Sequence, residues 1–97
     1  MITVEEHGQR VTLRLPKQFN FKIQREFQEC YRQRPPGRAY EIDFRPVSDM
    51  DSSALGMLLL LRSHCGGDKA DIRLIHCSPG IKSLLESVKF DALFSIE

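Results

Sequence analysis

The chain has 97 residues, which fit one domain of ordinary size, and we expect residues 1–97 to form a single domain without a linker. Hydrophobic residues make up 41% and charged residues 28% of the chain, which is typical of globular proteins and excludes a disordered or fibrous class. The net charge of +1 provides no overall field for binding nucleic acid or an anionic membrane. Binding therefore has to depend on a local site.

The cysteines and the apolar runs indicate the cellular location of the protein. Cys30, Cys65 and Cys77 include no close pair, and the first residues show no basic region followed by an apolar stretch. The longest apolar run, residues 54–61, is far shorter than the roughly 20 residues that a membrane span needs. We therefore expect a cytoplasmic protein that does not insert into a membrane.

The first third of the chain predicts a hairpin followed by a helix. Residues 2–4 and 11–15 alternate β-branched with polar residues on either side of the turn-prone residues 6–9, which is typical of a β-hairpin. From residue 19 to about residue 33, apolar residues recur at spacings of three and four, which predicts an amphipathic helix. Asn20 is available as its N-cap.

The remaining two thirds alternate strand and helix patterns. We expect, in order, a strand over residues 40–44, a helix that starts near Asp51 or Ser52 and ends before Gly66, a strand over residues 72–77, and a helix capped by Ser78. Such alternation implies an α/β fold in which helices connect parallel strands. The sequence thus predicts a mixed sheet of four to five strands with helices packed on it.

One segment carries most of the functional information: residues 43–58, DFRPVSDMDSSALGML. It resembles the phosphorylation-site segment of STAS domains, specifically that of the bacterial anti-sigma factor antagonists. Their pattern is an acidic residue at the end of a strand, a loop, and Asp-Ser-Ser or Asp-Ser-Thr opening a helix, with a glycine shortly afterwards. The residues that match this pattern are Asp43, Asp51, Ser52, Ser53, Leu55 and Gly56. The predicted order of elements also matches the fold of that family.

The resemblance implies a switch that works by exchanging partners. In the family, the unphosphorylated antagonist binds an anti-sigma factor that is often also its kinase, and phosphorylation of the first serine breaks the complex until a phosphatase resets it. Carried over, Ser52 is the phosphoacceptor, Asp51 and Ser53 flank it, and the protein is a binding module without enzymatic activity or cofactor. The first turn of a helix favours a phosphate, because its backbone N–H groups are unpaired and the helix dipole is positive there.

The helix after Ser52 predicts an apolar contact surface for the partner. If Leu55, Leu58 and Leu59 face the sheet, Met57 and Leu60 lie on another, partly exposed face beside the switch site. Methionine adapts well to protein interfaces. A broadly buried helix is the alternative interpretation.

Two further residues are candidates for partner contacts: Asn20, which stands where many antagonists have aspartate, and the loop residue Arg45. Lys17 also departs from the family, since glycine is usual there. The pairs His64-Cys65 and His76-Cys77 lack the ligand spacing of known zinc motifs, so no metal is expected.

Three other functions remain open for the same segment. Ser52 and Asp51 could serve only to cap the helix. The protein could be a constitutive STAS subunit of a lipid-transport or other multiprotein complex. It could also be a small serine hydrolase, although the Gly-x-Ser-x-Gly elbow is absent.

Overall fold

A computed structural model of residues 1–97 shows three α-helices and seven strands, and the helices and the four five-residue strands follow the order that the sequence predicts. The strands are β1 (Thr3–His7), β2 (Arg10–Arg14), β3 (Gln18–Phe19), β4 (Ala39–Asp43), β5 (Asp49–Met50), β6 (Asp71–Ile75) and β7 (Ser95–Ile96). The helices are α1 (Gln24–Arg32), α2 (Ser52–His64) and α3 (Pro79–Ser87). Short 3₁₀ turns lie at Phe21–Ile23, Gly67–Lys69 and Phe90–Ala92.

The main sheet has five strands in the order β1-β2-β4-β6-β7. β1 and β2 form the predicted antiparallel hairpin, and every other neighbouring pair is parallel. The register aligns Val11 with Tyr40 and Tyr40 with Ile72, so that apolar side chains share one face of the sheet. That face and the buried sides of all three helices form one core of 23 buried residues. The predicted mixed sheet of four to five strands is confirmed.

The opposite face of the sheet is open and charged. The strand residues that alternate with the apolar ones line this face. Some of them form ion pairs between neighbouring strands, such as Arg73 with Glu41 at 2.7 Å and Arg14 with Asp43 at 3.1 Å. Side chains of successive strand residues point to opposite faces, which explains why the apolar set and the charged set separate so cleanly. The domain therefore has two layers, one of helices and one of strands.

Local signals set the helix boundaries. The Asn20 side chain accepts a hydrogen bond from the Lys22 amide at 3.0 Å, and the Ser78 hydroxyl accepts one from the Ile81 amide at 3.3 Å. Gly66 ends the α2 region with a φ of 102°, which favours glycine. The predicted Ser78 cap is confirmed, whereas Asn20 caps the 3₁₀ turn before α1 and α1 itself has no side-chain cap. Phe19, however, belongs to β3, and the α-helix starts only at Gln24, after a 3₁₀ turn.

The prediction that Met57 is partly exposed is wrong. Met57 is 3% exposed, whereas Leu59 is 41% and Leu60 is 51% exposed. The buried residues of α2 are Ala54, Met57, Leu58 and Leu61, which form one face at spacings of three and four, and that face joins the core where α2 packs on α1. The placement of Leu59 against the sheet is therefore also wrong, and the exposure of Leu60 is confirmed.

α2 is the longest helix, with 13 residues, and none of the helices is long and apolar enough to cross a membrane.

Candidate functional site

A two-stranded parallel ladder brings the start of the α1 region next to the start of α2. Gln18 pairs with Asp49 and Phe19 pairs with Met50, and the Lys17 carbonyl accepts hydrogen bonds from the amides of Ser48 and Asp49 at 3.0 and 3.3 Å. One residue further along each strand come Asn20 and Asp51, the two residues that cap the following helical segments. The ladder thus brings two candidate residues into one neighbourhood, although they lie far apart in the sequence.

Asp51 is the N-cap of α2. Its backbone is extended, and its Oδ1 accepts hydrogen bonds from the amides of Ser53 at 3.0 Å and Ala54 at 3.3 Å. The Ser53 hydroxyl also donates to Asp51 Oδ1, at 2.5 Å. An aspartate in this position satisfies amides that the helix itself leaves unpaired. The capping function therefore belongs to Asp51, and the Ser53 hydroxyl is occupied.

Ser52 is left free by this arrangement. It is the first residue of α2, it is exposed, and its hydroxyl makes no hydrogen bond, whereas Ser53 is half-buried. Ser52 is thus not the helix cap, which removes the capping explanation for this serine. Two exposed carboxylates, those of Asp49 and Asp51, lie just before it in the chain. A new negative charge at Ser52 would therefore lie close in the chain to two existing ones.

An exposed stripe runs along α2 from Ser52. It consists of Ser52, Gly56, Leu59, Leu60 and Ser63, all of which are exposed at spacings of three and four. We call it the α2 stripe. A methyl group added at Gly56 would meet no atom within 4 Å, so the middle of the stripe is bare helix backbone. At 1.5 Å of rise per residue, Leu60 lies about 12 Å along the axis from Ser52.

Asp43 anchors the loop that leads to this site. Its carboxylate is 2% exposed and accepts hydrogen bonds from the Arg45 amide at 2.9 Å, from His76 Nδ1 at 3.0 Å and from Arg14 Nε at 3.1 Å. Burial raises the pKa of Asp43, but these hydrogen bonds outweigh it and hold the pKa below its usual value. Asp43 therefore stays ionised and fixes the start of the loop.

The structure does not bring Arg45 to Ser52. The Arg45 guanidinium lies 3.0 Å from His76 Nε2, after β6, and makes no hydrogen bond with Asp51 or Ser52. The sequence singled out Arg45 and Asp43 but missed Arg14 and His76. Only the register of β2, β4 and β6 brings these four residues together.

The histidines and cysteines are occupied elsewhere. His64 Nε2 lies 2.8 Å from the Arg34 carbonyl, and His76 contacts Asp43, so neither histidine is bonded to the Ser52 hydroxyl. Burial raises the pKa of both Cys65 and Cys77 to about 11, which keeps their thiols protonated. No group of three histidine, cysteine, aspartate or glutamate side chains is placed to hold a metal ion.

The chain thus combines a mixed five-stranded sheet, covered on one side by helices, with an exposed serine just after the aspartate that caps α2. The chain belongs to the STAS family. The family model described as "Mlab, STAS domain" matches residues 2–95. A STAS-domain containing protein of Pseudomonas aeruginosa (strain UCBPP-PA14) is 42% identical over 90 residues, which cover 92% of this chain and 89% of the relative.

Solved structures show the same fold. A candidate anti-sigma factor antagonist from Thermotoga maritima aligns with a TM-score of 0.80 at 14% identity, over 98% of this chain and 84% of the other. The anti-sigma factor antagonist SpoIIAA in its unphosphorylated form aligns with a TM-score of 0.70 at 18% identity, over 100% and 87% of the two chains. The phosphorylated form of Bacillus SpoIIAA gives 0.69 at 17% identity, over 100% and 91%.

Proposed function

We propose that this protein is an anti-sigma factor antagonist that exchanges partners under the control of phosphorylation. With Ser52 unphosphorylated, it binds an anti-sigma factor or related serine kinase in the cytoplasm and so regulates transcription or signalling. With Ser52 phosphorylated, it releases that partner, and a phosphatase resets it. The protein itself acts by binding rather than by catalysis. The observation that carries the proposal is the free, exposed Ser52 hydroxyl beside a cap that Asp51 already supplies.

Electrostatics explain how one phosphate would act. A phosphoserine adds about −1.5 to −2 charges near pH 7, which changes the net charge of this chain from +1 to about −1. The added charge joins those of Asp49 and Asp51. Because the Debye length is about 8 Å at physiological ionic strength, the repulsion is strongest over the first turns of α2. A partner seated there meets both the charge and the bulk of the phosphate.

The α2 stripe is the partner surface in this proposal. Leu59 and Leu60 supply exposed apolar area at a distance from the phosphate, so they contribute affinity in the bound state. Asp51 and Asn20 border the stripe at its Ser52 end, and Ser53 lies beside them as a half-buried residue. Leu59 takes the place that the sequence had suggested for Met57, because the Met57 side chain is in the core.

The test compares wild type with Ser52→Ala and Ser52→Asp as baits in a pull-down from the source cell. Ser83→Asp is the matched control, because it adds the same charge at an exposed serine of α3, away from the stripe. We expect Ser52→Asp to lose a protein that the other three baits retain. With ATP, that protein should add one phosphate to wild type and none to Ser52→Ala. Equal capture by Ser52→Asp, together with unmodified Ser52 in the native protein, would contradict the proposal.

A second candidate function is a constitutive STAS subunit of a multiprotein assembly such as a lipid-transport complex. It is favoured by the description of the matching family model, which refers to Mlab. The same baits separate the two functions. A constitutive subunit would be captured with the same companions by wild type and by Ser52→Asp.

A further inference from the structure

A second cluster of charged side chains lies at the carboxyl ends of β2, β4 and β6. It consists of Arg14, Asp43, Arg45 and His76, and we call it the Asp43 cluster. Arg14 Nε donates to Asp43 Oδ2 at 3.1 Å, and His76 Nδ1 lies 3.0 Å from Asp43 Oδ1. His76 Nε2 lies 3.0 Å from Arg45 Nη2. One buried carboxylate therefore orients two arginines, one of them directly and the other through a histidine ring.

The hydrogen bonds define the charge of the cluster. A guanidinium only donates, so the His76 Nε2 that faces Arg45 has to accept, and Nδ1 carries the proton that goes to Asp43. Two arginines and one carboxylate leave an excess charge of +1. Arg14 is paired with Asp43, whereas Arg45 has no carboxylate partner.

Most of the neighbouring charges on the open face pair with one another. Glu41 lies between Arg73 at 2.7 Å and Arg10 at 3.7 Å, and Arg73 also binds Glu97 at 2.7 Å. These two arginines and two glutamates sum to zero. Glu5 and Asp71 also lie on the open face, so that face has no overall surplus of positive charge, and the excess of +1 is local to the Asp43 cluster.

The cluster is both held in place and open to solvent. His76 has a φ of 58°, a left-handed conformation that is uncommon for a residue other than glycine. Its ring nevertheless stays between Asp43 and Arg45. The Arg14 side chain is 49% exposed and Arg45 is an exposed residue, so both guanidinium groups keep free N–H donors that face water.

We propose that Arg14 and Arg45, held by Asp43 and His76, bind the oxyanion of an acidic group, either a carboxylate or a phosphate. A guanidinium presents paired donors that match both oxyanions, and side chains that are already oriented lose little entropy on binding. None of the hydrogen bonds of these residues involves the Ser52 hydroxyl, and the proposed site does not depend on phosphorylation of that residue. It is therefore separate from the proposed function.

NMR titration of the full chain at pH 7 tests the site. Inorganic phosphate, acetate and a blocked tetraglutamate peptide are added separately, with sodium chloride at matched ionic strength as the baseline. We expect saturable shifts of the Nε–H signals of Arg14 and Arg45 and of the His76 amide. Saturation by phosphate alone identifies a free anion as the ligand, and saturation by the peptide identifies an acidic protein segment. Either result supports the proposed oxyanion site.

The variants Arg45→Gln and Arg14→Gln should each weaken binding about tenfold, the effect of one lost charge-assisted hydrogen bond. Arg25→Gln is the matched control, because Arg25 is an exposed arginine of α1 that forms no ion pair. Arg45→Lys keeps the charge but lacks the paired donors, so it should bind more weakly than wild type, and Ser52→Ala should bind like wild type. Shifts no larger than those with chloride, or equal affinity in the glutamine variants, would overturn the proposal.

Discussion

Replacing Gly56 with alanine should stabilise the protein, even though glycine lies in the middle of its longest helix. Gly56 is the fifth residue of α2, it is exposed, and an added methyl group would meet no atom within 4 Å. Glycine in a helix interior is less favourable than alanine by about 0.5–1 kcal/mol, because it loses more backbone freedom on folding. Gly56→Ala should therefore raise the free energy of unfolding by about this amount.

The expected gain is large enough to measure. In a domain of 60–100 residues, a change of 1 kcal/mol shifts Tm by about 4–8 °C, so the variant should melt about 2–8 °C higher. Gly80→Ala is the matched control. Gly80 has equally open surroundings but lies in the first turn of α3, where the helix is anchored less firmly, and we expect a smaller gain.

Thermal unfolding followed by circular dichroism, supported by urea titration, measures both variants. A lower Tm for Gly56→Ala, or a gain no larger than that of Gly80→Ala, would refute the argument that Gly56 is an ordinary exposed helical residue. Partner binding gives a second readout. If the partner contacts the bare backbone in the middle of the α2 stripe, the stabilised variant should bind it more weakly.

Three further predictions concern the core, the cap and the anchor of the loop. Met57→Ala should lower the free energy of unfolding by about 2–5 kcal/mol in urea titrations, because Met57 is buried, whereas Leu60→Ala should change it by no more than about 0.5 kcal/mol. Asp51→Ala should cost about 0.5–2 kcal/mol by the same measurement, because two amides of α2 lose their acceptor. The pKa of Asp43 lies below its ordinary value of 3.8, so its ionised form stabilises the fold above that pH, and the contribution is lost on acidification. Asp43→Asn should therefore be less stable at pH 7 and lose less stability between about pH 5 and pH 3 in acid titrations.

Each of these predictions has an outcome that would contradict it. Equal destabilisation by Met57→Ala and Leu60→Ala would mean that α2 does not bury Met57 while exposing Leu60. Asp51→Asn should keep most of the stability lost in Asp51→Ala, since asparagine is also a good cap, and an equal loss in both would assign another role to the carboxylate. If Asp43→Asn loses as much stability on acidification as wild type does, a group other than Asp43 is responsible for the acid sensitivity.

Short local signals explain why the order of the elements and the caps could be predicted. Asn20 and Ser78 are strong cap residues, and Gly66 ends a helix. These signals depend on neighbouring residues and not on distant parts of the chain. The β3–β5 ladder escaped prediction, because two residues per strand carry no readable pattern. It forms only when the loops after β2 and β4 lie side by side.

The candidate site was predictable to the extent that it is local. Asp51 and Ser52 follow from sequence, because a cap and the first helical residue are neighbours in the chain. The exposed face of α2 did not follow, since residues 57–61 are all methionine or leucine and show no polar side. Packing of α1 decides which of them are buried. The contact of His76 with Asp43 depends on strand register, which the sequence does not state.

The β3–β5 ladder makes the surface around Ser52 a composite of two distant chain segments. Its backbone hydrogen bonds keep the residues near Lys17 and Asn20 beside those near Asp51 only while the sheet and helices are assembled. A short peptide that copies residues 48–60 would lack half of that surface, and so would the unfolded chain. A kinase that recognises both halves would therefore act on the folded protein rather than on a linear motif. Only chains that have already folded would then be phosphorylated.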